Sequence, residues 1–126
     1  MSNAMPTAEQ VVEMMSAKMG MNNVPAAMLF AKDVAPELVL QVAMSSKESV
    51  GDEQSPLDEK TRTLIYLASA LATHDDECVK ATLASALSIG VNKAELISVI
   101  KIVRHAANNG AVGAATPILQ ALAMKR

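Results

Sequence analysis

Ser55-Pro56-Leu57-Asp58-Glu59-Lys60-Thr61-Arg62-Thr63-Leu64-Ile65-Tyr66-Leu67-Ala68-Ser69-Ala70-Leu71-Ala72 reads as the start and body of a strong helix. Ser55, Pro56 and Asp58 supply a cap, a first-turn proline and an N-terminal acid, which predict a helix over roughly 56–73. Its apolar run, Leu64 to Ala72, falls far short of the ~20 residues that span a bilayer. The clearest loop, Gly51-Asp52-Glu53-Gln54-Ser55-Pro56, precedes it, and His74-Asp75 breaks the chain after it.

Working outward, the apolar period is helical almost everywhere, and no segment alternates as a half-buried strand does. Towards the N-terminus, Thr7 and Gln10 form a capping box for a helix that Gly20 ends. Pro25 starts a short helix through about Ala31, and Pro36 starts another that ends near Gly51. Towards the C-terminus, a helix over Asp76 to Ser88 closes at Gly90, and Asn92 with Glu95 caps the next. Asn108-Asn109-Gly110 predicts a stop after about Ala107. Pro117 either kinks a last helix or marks its start. The expected fold is an all-α bundle of six to seven helices.

The chain has 126 residues, enough for one domain over 5–126. Met1-Ser2-Asn3-Ala4 reads as an expression-tag remnant. Apolar residues make up 51%, yet Phe30 and Tyr66 are the sole aromatics, so Leu, Ile, Val, Ala and nine Met must build the core. Such small, flexible side chains suit close helix contacts and faces between subunits. The net charge of −2 is interleaved, without a basic stripe, so nucleic acid and anionic membrane are not expected partners. Met5 to Glu9 lacks the basic start and apolar stretch of a signal peptide. A single cysteine excludes an internal disulfide and fits a reducing compartment, so the expected location is cytoplasmic.

That cysteine, Cys78, is the candidate nucleophile, placed in the first turn of its helix. Free helix N–H groups there favour a thiolate, whereas Asp75, Asp76 and Glu77 just before it oppose a second negative charge. A buried Cys acting as a small apolar residue is the plain alternative. His74 is a candidate base, with a capping or solvent-facing histidine as the other reading. His105, beside Arg104 late in its helix, is a weak candidate for a catalytic or anion-binding role; a cation favoured by the helix C-terminal dipole is the plainer reading. Arg62 is expected to form an inter-helix ion pair, with an exposed surface residue as the alternative. No metal site is expected, because adjacent ligands on a helix point in different directions and no second cluster completes a shell. No cofactor is expected: the sequence has no Gly-rich phosphate loop and no aromatic platform for a flavin.

Leu57-Asp58-Glu59-Lys60-Thr61-Arg62-Thr63-Leu64-Ile65, the small-residue helix to Ala72, and the acidic turn into Cys78 resemble the carboxymuconolactone decarboxylase family, which includes the alkyl hydroperoxidase D branch. The resemblance extends through Ala84, Ala86, Gly90 and Asn92 to Ile97, and back to Val24-Pro25 and Ala35 to Leu38, covering roughly Asn23 to Met124. It implies an all-helical subunit that assembles as a homo-oligomer, a trimer or hexamer. Redox-active members carry Cys-x-x-Cys-x-x-x-His with a Glu one helix earlier. Spacing back from Gly90 puts the second cysteine on Cys78, the first on Asp75, the histidine on Thr82 and the glutamate on Thr63. Three of those four groups are thus absent. In the lactone branch the Cys78 position is usually an acid and the Thr82 position a histidine, so that chemistry lacks its residues too.

Two expectations follow. One is a thiol-dependent, peroxiredoxin-type peroxidase in which Cys78 attacks a peroxide and an external thiol restores it. The other is a catalytically degenerate helical oligomer that binds a small molecule or a protein, since threonines line pockets but relay no protons near neutral pH.

Overall fold

A computed structural model of the chain describes residues 5–125, so the expected tag remnant at 1–4 lies outside the described residues. Among the described residues there are seven α-helices and no strand. Helix α1 (Ala8–Met19) opens on the Thr7–Gln10 capping box and ends at Gly20, whose φ of 85° is the left-handed backbone glycine tolerates best. A single 3₁₀ turn, Met21–Asn23, leads to α2 (Ala26–Val34) and α3 (Pro36–Lys47). Helix α2 outlasts its expected end at Ala31. Its stop is Ala35, held extended at φ −149° as the residue before Pro36. Helix α3 stops short of Gly51 because the serines after it compete with the helix: Ser49 Oγ donates to the carbonyls of Ser45 and Ser46.

Helix α4 (Glu59–Ala72) begins later than expected. Its cap is Asp58, whose carboxylate accepts the Thr61 N–H at 2.8 Å, while Ser55 Oγ accepts from Leu57 N in the loop. Among the described residues Arg62 makes no ion pair; its guanidinium donates to the carbonyls of Val50 and Leu57 and so pins that loop to α4. Among the described residues the ion pair that joins two helices is Lys60 with Glu95, at the exposed edge between α4 and α6. Helix α5 (Asp76–Ser88) follows the break at His74-Asp75 over the expected span, and its N-cap is Asp75.

Helix α6 (Lys93–Ala114) opens on the Asn92–Glu95 capping box and runs straight through Asn108-Asn109-Gly110. A glycine ends a helix by turning left-handed. Gly110 does not; the described glycines with positive φ are Gly20 and Gly90. The run is costly, because each exposed Gly in a helix costs about 1 kcal/mol relative to Ala. Helix α7 (Thr116–Met124) starts at a turn centred on Ala115, with Pro117 in its first turn.

The core is built from small side chains. Val11 and Val12 of α1 meet Val24 and Val39, and Val39 is the largest side chain buried completely. Helices α4 and α5 pack against each other, and between them they bury Thr63, Leu67, Ala70, Ala81, Thr82 and Ala86. Each fully buried Val contributes about 1.5–3 kcal/mol, so a core of valines and alanines is thin for its length. Helix α6 buries Val99 alone among its residues, and α7 buries none.

Candidate functional site

The site lies where α4 hands over to α5. Helix α4 ends in a closed turn: His74 N–H donates to the Leu71 carbonyl and Asp75 N–H to the Ala70 carbonyl. His74 sits at the left-handed position of this turn with φ 57°. The same pair of bonds ends α5, where Gly90 holds that position at φ 88°. His74 therefore does a glycine's backbone work, and its side chain is exposed.

The turn delivers Asp75 to the N-cap of α5, where its carboxylate accepts the Cys78 N–H at 3.1 Å. The helix N–H nearest the sulfur, which could have favoured a thiolate, is thereby taken. Cys78 is partly buried. Burial pushes its thiol up from the ordinary range, and the carboxylates of Asp75 and Glu77 add to that rise. The opposing effect comes from Tyr66, whose hydroxyl donates to Cys78 Sγ across 3.6 Å from α4. Tyr66 is in turn pushed up to about 12, first by burial and then by Cys78 and Asp75. Hydrogen bonds from Cys78 hold Asp75 below the usual carboxylate range.

Thr82 lies one helical turn beyond Cys78 and Thr63 one turn before Tyr66; both are buried. Of the four motif positions, Asp75 and Cys78 are joined directly by a hydrogen bond, Thr63 and Thr82 are buried on the two packed helices, and Cys78 carries the one thiol. Neither histidine joins them by a hydrogen bond. His105 lies out on α6, where its ring contacts Asn109 at 3.1 Å. The residue that sequence reasoning missed is Tyr66. Its signal was available: it stands three residues after Thr63, on the same helical face.

Beside this pair an open cleft of about 790 Å³ lies between α3, α4 and the loop before α4. Leu38, Val42, Leu57 and Ile65 give it an apolar wall, Ser45 and Ser69 add hydroxyls, and Tyr66 joins it to Cys78. Among the described residues no three His, Cys, Asp or Glu side chains gather as a metal site would need. No described helix is long and apolar enough to cross a membrane.

Fold and site together define an all-α protein with a thiol at a helix start, approached by one tyrosine. The chain belongs to the carboxymuconolactone decarboxylase family, whose model matches residues 36–121. No curated protein matches it.

Proposed function

We propose that this family member is a helical binding protein whose α3–α4 cleft takes a small, mostly apolar molecule, and that it has lost efficient peroxidase chemistry. The observation that carries this reading is the state of Cys78. Its thiol is raised by burial, its nearest helix N–H is bonded to Asp75, and threonines stand where a proton relay would need Glu and His. The cleft supplies what binding needs: an apolar wall, a few hydroxyls and one phenol. Tyr66 is the sole tyrosine and the chain has no tryptophan, so its fluorescence reports on the cleft alone. Titration with a medium-chain or aromatic alcohol should change Tyr66 emission saturably, and Ile65→Arg should abolish the change. A linear, unsaturable response would refute binding there.

A second reading is favoured by the Tyr66–Cys78 contact: a slow thiol-dependent peroxidase using one cysteine. In that reaction the Cys78 thiolate attacks a hydroperoxide, forming an S–O bond as the O–O bond breaks. The departing alkoxide takes a proton and leaves as the alcohol. An external thiol then displaces water from the sulfenic acid, and a second external thiol releases Cys78 and carries away the disulfide. Tyr66, donating to sulfur, would stabilise the thiolate. The single cysteine supports a reducing, cytoplasmic setting for either reading.

A further inference from the structure

We propose that the α3–α4 cleft is a site for a medium-chain monocarboxylate, with the carboxylate at Arg62 and the chain along Leu38, Val42 and Ile65. This rests on the binding reading above and names the class of molecule. Helix α3 packs mainly on α1 and α2, and helix α4 on α5 and α6, so the cleft is the seam between two packed groups. Its two ends differ in chemistry. Arg62 Nε donates to the Val50 carbonyl, which directly follows the serines at the end of α3, so the guanidinium sits at the serine end. Leu38 and Val42 lie at the start of the same stripe. Leu38 and Ser46 stand about 12 Å apart along α3, a reach that suits an extended chain rather than a compact solute.

The charge at the serine end is not balanced within the cleft. Arg62 is its one cationic lining residue, and no acid lines it. Asp58, one turn earlier, holds its carboxylate on the Thr61 N–H at 2.8 Å and makes no ion pair with Arg62. The Val50 and Leu57 carbonyls take two of the five guanidinium N–H donors and leave three. Two carbonyls fix the guanidinium without neutralising it, and a partly buried cation gains most from an anion. Other donors stand ready on α3. Ser49 and Ser69 turn their protons back to helix carbonyls, but the Ser45 and Ser46 hydroxyls and the Gln41 amide have no partner among the described residues. Donors without an opposing acid select an anion. A single cation matches a single negative charge, which favours a carboxylate over a phosphate monoester carrying close to two.

Titration calorimetry of the full chain near neutral pH, with octanoate and octanol as paired probes, tests the proposal. Octanoate should bind roughly tenfold more tightly than octanol, the scale of one charge-assisted hydrogen bond. From hexanoate through octanoate to decanoate, affinity should rise about fourfold per methylene buried. Ser46→Asp sets a competing carboxylate at an exposed position of the serine end, and should weaken octanoate roughly tenfold while weakening octanol far less. Should that variant fail to fold, the two probes on the wild-type chain still decide the matter. Octanoate binding no more tightly than octanol, or Ser46→Asp weakening both equally, would overturn the proposal and leave the binding reading standing. If neither probe binds, the binding reading falls and this proposal falls with it.

Discussion

The Tyr66 hydroxyl reaches from α4 to donate to Cys78 Sγ on α5, across 3.6 Å. It is the one group drawing the thiol towards its ionised form, against burial and two carboxylates. Tyr66→Phe should raise the thiol pKa further. Hydrogen bonds of this kind contribute about 0.5–1.5 kcal/mol net, so reaction with an aromatic disulfide at pH 8 should slow roughly two- to tenfold. An unchanged rate would show that the contact carries no energy.

Tyr66 also makes folding sensitive to alkali. Its pKa is raised in the folded chain to about 12, so the protonated phenol is favoured by folding. That contribution is complete below the unfolded value near 10, and disappears as pH rises from about 10 through about 12. Tyr66 is partly exposed, so solvent screening trims the effect to on the order of 1 kcal/mol. Denaturant melts at pH 9 and 11 should show a larger loss in wild type than in Tyr66→Phe. Equal losses would contradict the assignment.

Asp75 holds the start of α5 and suppresses the thiol at the same time. Asp75→Asn keeps an acceptor for the Cys78 N–H while removing the charge, so the Cys78 pKa should fall and its alkylation should quicken. The folded Asp75 carboxyl is depressed, so its stabilisation is present above the unfolded pKa near 4 and is lost as pH falls through the folded value. Wild type should therefore lose more stability in acid than the Asn variant. A Cys78 titration midpoint that does not move in Asp75→Asn would rule out this electrostatic role.

His74 separates a backbone role from a catalytic one. A left-handed φ costs a non-glycine residue about 1–2 kcal/mol, part of which glycine's greater unfolded entropy offsets. His74→Gly should be neutral to about 1 kcal/mol more stable, with Cys78 reactivity unchanged. A tenfold loss of thiol reactivity would make His74 a base after all.

The legible parts of this fold were those written in neighbouring residues. Thr7 with Gln10, Asn92 with Glu95, and the Gly20 and Gly90 closures are each settled within one or two turns of chain. So is the start of α5, because Asp75 and Cys78 stand three residues apart. Local signals misled where something distant outweighed them. Asn108-Asn109-Gly110 has the chemistry of a stop, yet α6 passes through it, because Gly110 keeps a helical backbone instead of turning left-handed. Arg62 suggested a carboxylate partner and found the loop carbonyls instead, because the chain doubles back over α4. The Tyr66–Cys78 contact spans two helices, so spacing alone shows the face Tyr66 shares with Thr63 but not the sulfur it meets. The family resemblance located Cys78, Thr63, Asp75 and Thr82 in the sequence; that α4 packs on α5 and sets Tyr66 against the thiol needed the structure.

The most direct test of the account is the rate of Cys78 oxidation by an alkyl hydroperoxide across pH, with Cys78→Ser as the control. A thiol raised by burial and by Asp75 should react at pH 7 no faster than free cysteine, with a midpoint above the free thiol's ~8.5. A rate far above free cysteine at pH 7, with a midpoint below ~8.5, would contradict the account and restore the peroxidase reading.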